Sequence, residues 1–431
     1  MVVIWDLIYL MGLILGAPLL IYKMIVSDKY RRGIGQKLGL LPLLRKKGKR
    51  VWIHGVSVGE IIAAGSLVRA IQAEMPEMEI LLTVTTNTAF AVARRNHPGL
   101  PVHYWPLDFS FIIRRAINRF APDVVALMEL ELWPNFLTEA QRARVPVLLV
   151  NGRISSKSYY VYRRSRPFLA RSFKTIGAFS VQTEAYARRL RKLRVDPSKI
   201  FVTGNLKYDA VAATVPADPA AQRERLGIAA GELVFTAGST HPGEEEAVAN
   251  AYLAARKTAG VPMRLIVVPR APQRLQEVKR LLEAKGISTV FKSAISGPLE
   301  PETAIIVDTM GEMMKVYSAS DIVFVGGSLI PHGGQNMLEP AACGKAVLWG
   351  PRTHNFTESV KLLLDAHGGL CVADAAALER ETVRLACDPA ERARMGLAAS
   401  EAIRTRLGAT RRNLEILREL LKRSNPRKTS F

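Results

Sequence analysis

The chain has 431 residues, 48% of them hydrophobic, with a formal net charge of +22; that length exceeds what one core organises, so two domains of ordinary size are expected. Ten Lys/Arg stand against one acid in residues 23–50 and twelve against one in residues 153–194, fields that attract nucleic acid, anionic headgroups or phosphorylated substrates without choosing among them. Three cysteines (Cys343, Cys371, Cys387) with no CxxC pair exclude a disulfide framework and a thiolate zinc site, and seven histidines with no HExxH give no argument for a catalytic metal.

The first element is MVVIWDLIYLMGLILGAPLLIY, apolar apart from Asp6 over about twenty residues, enough to cross a hydrocarbon core of roughly 30 Å. A cleavable signal would show a basic start and a small-x-small site, and neither precedes Lys23. Asp6 and Pro18 leave open a helix lying partly in the interface. Lys23, Lys29, Arg31, Arg32 and Lys37 follow, which puts the body of the protein on the cytoplasmic side and favours anionic phospholipid by about 1 kcal/mol per charge. Residues 1–26 are therefore expected to be one N-terminal membrane anchor.

From there, apolar runs of strand length alternate with amphipathic segments of helix length, the pattern of parallel βαβ units. The first series is VWIH (51–54), ILLTVTT (80–86), VHYW (102–105), DVVALM (123–128), VPVLLV (145–150), FSVQ (179–182) and IFVTG (200–204). VAATVPADPAA (211–221) breaks the pattern and is the expected boundary. The second series runs ELVFTAG (232–238), RLIVVP, STVF, TAIIVD, DIVFVGG, AVLWG and GLCVAD (369–374). The expectation is an α/β chain of two Rossmann-like domains, 27–210 and 211–395, facing a cleft in which ligands meet the C-terminal strand ends. Residues 397–422 read as one long helix, so 396–431 is taken as a C-terminal helix with a basic tail.

P-loop and dinucleotide fingerprints are absent, which removes kinase and NAD readings. VWIHGVSVGE (51–60) passes from a strand through two glycines to Glu60 at a helix start, either as a helix-terminus stabiliser or as a chemical group. MELELWPN (128–135) sets Glu129 and Glu131 on one side of an extended segment. Two acids at the end of a buried parallel strand cost free energy unless paired or functional. GNLKYD (204–209) places Lys207 just after a strand, as a solvated loop lysine or a functional one.

In DIVFVGGSLIPHGGQNMLEPAACGK (321–345), one account makes Asn336 an N-cap with Glu339 completing a capping-box-like exchange. The favoured account is that two glycine pairs leave backbone N–H groups bare for a phosphate while Glu339 accepts from ribose hydroxyls. VPRAPQR (268–274) adds Arg270 at a strand end, and DTMGEM (308–313) is a turn or a shelf for a nucleotide base.

Taken together, HGVSVGE, MELELWPN, NGRIS, GNLKYD, GSTHPGEEE, VPRAPQR, DTMGEM and GGSLIPHGGQNMLEPAA closely resemble the bacterial 3-deoxy-D-manno-octulosonic acid (Kdo) transferases, in the family's order and over essentially the whole chain. The resemblance implies a GT-B glycosyltransferase anchored at the cytoplasmic side of the cell inner membrane. It would transfer Kdo from CMP-Kdo, with inversion, to a phosphorylated lipid A precursor (lipid IVA) in lipopolysaccharide biosynthesis. The domain before residue 210 would then handle the acceptor and the one after it the donor. It implies Glu60 as proton acceptor and Glu129 and Lys207 as transition-state stabilisers. CMP contacts fall on Pro269, Arg270, Met310, Gly311, Glu312, Asn336, Met337, Leu338 and Glu339.

The chain departs from the family's VPRHPER and GGHNPLEP patterns at Ala271, Gln273, Gln335 and Met337. No cofactor and no metal are expected, because CMP carries a single phosphate that Arg270 and backbone N–H groups can stabilise as it leaves. The partners expected are CMP-Kdo, the lipid acceptor and the anionic membrane surface. The rivals are a membrane-associated GT-B enzyme using a UDP-sugar and a non-catalytic polyanion binder. Nucleic acid is not an expected partner, since basic and aromatic residues are not interleaved.

Overall fold

Apolar runs such as VVALM and VLLV can lie in a sheet only where both faces are covered, and they do so in the computed structural model, which describes residues 2–27 and 31–423. By contacts the chain divides into two units, Met1–Ala210 with Leu407–Phe431, and Val211–Arg406.

The first unit holds β1 (Arg50–Gly55), β2 (Glu79–Val84), β3 (Val102–Tyr104), β4 (Val124–Met128), β5 (Val147–Gly152), β6 (Ala178–Val181) and β7 (Ile200–Val202). They form one parallel sheet in the order β3-β2-β1-β4-β5-β6-β7. Alternate residues feed two cores. Val51, Ile53, Leu82, Val124 and Ala126 pack under the helices Val58–Glu74 and Ala409–Arg423. Trp52, Leu81, Val125, Leu127 and Leu149 pack under Ser110–Phe120 and Pro134–Arg142. Each large side chain fully buried this way contributes about 1.5–3 kcal/mol.

The second unit repeats the plan with β8 (Leu233–Thr240), β9 (Met263–Pro269), β10 (Thr289–Phe291), β11 (Ala304–Ile306), β12 (Ile322–Val325), β13 (Ala346–Trp349) and β14 (Gly369–Cys371). Their order is β10-β11-β9-β8-β12-β13-β14, again all parallel. Every expected strand is present. In each sheet the chain reverses its direction of travel once, between β1 and β4 and between β8 and β12. Those are the switch points at which such sheets open a crevice beyond the strand ends.

The expected single helix over 397–422 is instead two, Pro389–Arg404 and Ala409–Arg423, and they belong to different units. Gly408 lies at φ +96°, which breaks the helix. Asp209 then accepts from the N–H groups of Gly408 (2.8 Å) and Thr410 (2.5 Å). Leu414, Leu417, Leu420 and Leu421 bury the last helix in the first unit's core.

The N-terminal helix Val2–Val26 is long and apolar enough over Val2–Leu19 to cross a membrane. Asp6, the odd residue in that run, accepts from Ser110 N (2.8 Å), Ser110 Oγ (2.6 Å) and Asn135 Nδ2 (2.9 Å). One turn on, the Tyr9 hydroxyl donates to Asp108 (3.0 Å). Lys29, one of the cations expected after the helix, lies outside the described residues.

Asp209→Ala removes two capping acceptors, a loss of about 1–2 kcal/mol at a helix start. Backbone hydrogen exchange across 409–423 should then speed up by roughly tenfold or more, while exchange in Pro389–Arg404 stays unchanged. Equal acceleration in both helices would contradict this account of the break.

Candidate functional site

Glu60 is the third residue of the helix Val58–Glu74, which starts where β1 ends. Its backbone N–H donates to Ser57 Oγ (3.3 Å), and its carboxylate accepts in return from Ser57 N (3.2 Å), Ser57 Oγ (2.7 Å) and Val56 N (2.9 Å). This is a complete capping box. Oε1 takes two of those bonds and Oε2 only one, so Oε2 keeps a lone pair. Gly55 lets the helix close in, since a Cβ there would stand 3.1 Å from Ile61 and 3.3 Å from Glu60.

Glu129 follows β4, the sheet neighbour of β1. Its N–H continues the ladder to Val150 O (2.8 Å), and the chain then turns at φ +54°, a left-handed conformation that costs a non-glycine residue about 1–2 kcal/mol. Two residues on, the half-buried Glu131 carboxyl is pushed up to about 7, first by burial and then by the fields of Glu60 and Glu129. The structure thus joins three carboxylates at the β1/β4 switch point, of which Glu131 was singled out only by its spacing. Nearby His54 is structural: burial holds it down to about 3, and its Nδ1 meets Thr83.

Lys207 lies farther along the same edge, second in the helix Leu206–Ala212. Asn151, at the end of β5, accepts from Leu206 N (3.1 Å) through its side chain and from Gln182 Nε2 (3.0 Å) through its carbonyl. Gln182 accepts in turn from Asn205 Nδ2 (3.1 Å), and Asn205 caps Lys207 N (3.0 Å). This bracket spans the ends of β5, β6 and β7 and sets the Lys207 ammonium 5.2 Å from the Tyr208 ring centre. Asn151, from NGRIS, had no assigned role in the sequence.

In the second unit, Pro269 closes β9 against Thr240 of β8, and Arg270 N donates to Thr240 O (2.9 Å), leaving an exposed guanidinium. Met310 is 75% exposed, and Gly311 turns the chain at φ +82°. Burial works against ionised Glu312, but Lys292 (2.5 Å), the Thr309 hydroxyl and Lys315 hold its carboxyl below the usual range.

One expectation for residues 326–339 is corrected. The N–H groups after the first glycine pair are not bare: fully buried Glu244 accepts from Gly327 N (2.7 Å), Ser328 N (3.0 Å), Leu329 N (3.0 Å) and His241 N (3.0 Å). Gly334 N donates to Gly327 O (2.7 Å). The anion in this nest is the chain's own. Asn336 stands one residue before Met337, the N-cap of the short helix Leu338–Ala342, and makes the capping contacts of the other account from there. Asn336 accepts from Leu338 N (3.2 Å) and donates to Glu339 (3.0 Å), whose carboxyl burial pushes up. Met337 and Leu338 are buried, so only their backbones are available to a ligand.

Residues 32–210 match the family described as 3-Deoxy-D-manno-octulosonic-acid transferase (kdotransferase). A 3-deoxy-D-manno-octulosonic acid transferase of Haemophilus influenzae is 32% identical, covering 97% of this chain and 100% of that protein. One of Bordetella pertussis is 34% identical, with 86% and 87% covered. Among solved structures, a glycosyltransferase of Rickettsia africae (TM-score 0.52, 15% identity, 88% of this chain and 100% of that one) and the UDP-GlcNAc 2-epimerase of Neisseria meningitidis (0.56, 14%, 86% and 100%) agree in fold alone. The two parallel-sheet units are those of a GT-B glycosyltransferase. With relatives above 30% identity over nearly its whole length, and GSTHPGEEE and MELELWPN folded at the two switch points, the chain belongs to the 3-deoxy-D-manno-octulosonic acid (Kdo) transferase family.

Proposed function

We propose that the protein transfers Kdo from CMP-Kdo to a sugar hydroxyl of a phosphorylated lipid A precursor, with inversion and without a metal, at the cytoplasmic side of the inner membrane. The observation that carries this reading is the trio Glu60, Glu129 and Glu131 at the β1/β4 switch point. An acceptor hydroxyl needs a base, and Glu60 Oε2 keeps a lone pair on a carboxylate whose orientation the helix start fixes.

In one displacement, the acceptor oxygen gives its proton to Glu60 and bonds the anomeric carbon of Kdo. The bond from that carbon to the phosphate oxygen breaks, and CMP leaves with the electron pair. Glu129 stabilises positive charge developing at the anomeric carbon, and Lys207 opposes negative charge on the phosphate or the Kdo carboxylate. Donor contacts are assigned to Pro269, Arg270, the 310–312 turn and the 336–339 segment. At neutral pH, Glu131 spends part of its time protonated, which relieves repulsion among the three carboxylates. The basic segment 153–194, with Tyr160, Val161 and Phe168 exposed among its cations, is assigned to acceptor phosphates and the lipid surface.

Glu60→Gln largely separates the two roles of this residue, since the Gln carbonyl can still accept from Ser57 N and Oγ as Oε1 does, while its amide nitrogen gives up the bond from Val56 N and cannot take a proton. Kdo transfer should fall about 10²–10⁴-fold with CMP-Kdo affinity within twofold of the parent; near-normal turnover would sink the assignment of the base. Activity should also persist in excess EDTA, and loss restored by magnesium would be the contrary result.

Glu131 allows a pH test. Its folded-state value lies above the ordinary 4.5, so the penalty for ionising it is absent below about 4.5, grows as pH rises towards 7 and is constant above that. Glu131→Gln should therefore gain melting temperature over the parent at pH 8 and little or nothing at pH 5, read by thermal unfolding. A gain of equal size at both would remove the desolvated carboxyl from the account.

A further inference from the structure

GSTHPGEEE contributes a second feature besides Glu244. The His241 ring lies 4.0 Å, centre to centre, from the His332 ring at a 40° tilt. Both rings rest on Gly327 (φ +65°), where a Cβ would come 3.1 Å from His332 and 3.3 Å from His241. The pair stands at the β8/β12 switch point. His241 Nδ1–H donates to Ser239 O (3.0 Å), which fixes the tautomer and leaves Nε2 for a ligand.

The charges facing His241 are His332, Arg270 and Glu244. Glu244 lies 3.9 Å from Nδ1, but its oxygens already accept four backbone N–H groups, the full capacity of a carboxylate. Burial, then His332, with Arg270 adding to both, holds the His241 ring below its ordinary range against the opposing pull of Glu244 and Ser239. Two imidazoles and a guanidinium thus meet at one set of strand ends, and the one carboxylate among them has no hydrogen-bonding capacity left to offer.

We propose that the His241–His332 pair binds the carboxylate of the donor sugar and so selects an ulosonic acid over a neutral sugar. This rests on the CMP-Kdo reading. In such a donor the anomeric carbon carries two anionic groups, the phosphate and the carboxylate. The planar fork of Arg270 suits the phosphate. The imidazoles suit the carboxylate, because each can gain a proton as the anion arrives and then donate a charge-assisted hydrogen bond. A hexose donor has no second anion, and the pair would have nothing to hold.

The test compares two ligands on the full-length protein without acceptor: CMP, which lacks the carboxylate, and freshly made CMP-Kdo, each titrated into parent, His241→Asn and His332→Asn. His332 is exposed, so its variant guards against a folding defect at His241. CMP affinity should stay within twofold in both variants, while CMP-Kdo affinity falls about ten- to hundredfold. Parallel loss for both ligands, or no loss for either, overturns the assignment. If the parent binds CMP but not CMP-Kdo, the donor reading fails and this inference fails with it.

Discussion

A parallel strand buried on both faces leaves its polar side chains an outlet only at its ends. In the central strands of both sheets nearly every residue is buried, so the chemistry has few places to go. Where the order of strands reverses, no connection covers the crevice, and the two flanking loops can approach a ligand together. Glu60 and Glu129 follow β1 and β4. Thr240 ends β8 and Gly326 follows β12, with His241 and Glu244 just beyond Thr240. The same constraint explains why the strand ends are expensive: Glu129 just past β4, Asn151 near the end of β5 and Ser239 near the end of β8 all adopt positive φ without being glycine, and the rigid sheet around them keeps them there.

Helix starts do two jobs in this chain. A free helix N-terminus attracts an anion, and at the β1/β4 switch point a side chain at the helix start serves as one, while at β8/β12 another serves a loop. Glu60 satisfies Val56 N and Ser57 N, and Glu244 satisfies the loop after β12. Internal carboxylates fix these loops before any ligand arrives, so little ordering remains to be done on binding. Glu60 differs from Glu244 in having bonding capacity left. That difference separates a carboxylate able to react from one that only positions its neighbours.

The strands were legible because each is a local apolar run bounded by glycine, proline or charge. Glu129 and Glu131 drew notice in the sequence because carboxylates at the end of a buried strand are costly without a purpose, whereas Glu60 stood open between a helix-terminus stabiliser and a chemical group until the family resemblance gave it a role. The misreadings concern pairings distant in sequence. Glu244 reaches residues 83 to 85 positions away, and nothing near the glycine pairs signals that their N–H groups are taken. Asp209 caps a helix about 200 residues later, and nothing next to Gly408 in the sequence points to that partner. Glu131 needed the structure because its proton affinity comes from burial and from the field of Glu60, which sits at the start of the helix after another strand.

Asp6 shows the same limit with a different consequence. On sequence it weakened a membrane-spanning helix, since a carboxylate at the centre of a bilayer costs about 2.5–3.5 kcal/mol or more. In the fold its oxygens accept from Ser110 and Asn135, while Leu15, Ile25 and Met11 stay 80%, 71% and 63% exposed. The polar residue faces protein and the apolar ones do not, so Asp6 is no argument against lipid contact along the rest of the helix. Asn135 also donates to the Asp108 carbonyl, and Asp108, its carboxyl raised by burial to about 7, accepts from Tyr9, Asn135 N and Phe136 N. The apolar helix is therefore fastened to the segment that begins at Glu129 by short hydrogen bonds. If that helix meets a membrane, the Glu129–Glu131 loop keeps one orientation to the lipid surface, because short hydrogen bonds tie both to the same residues.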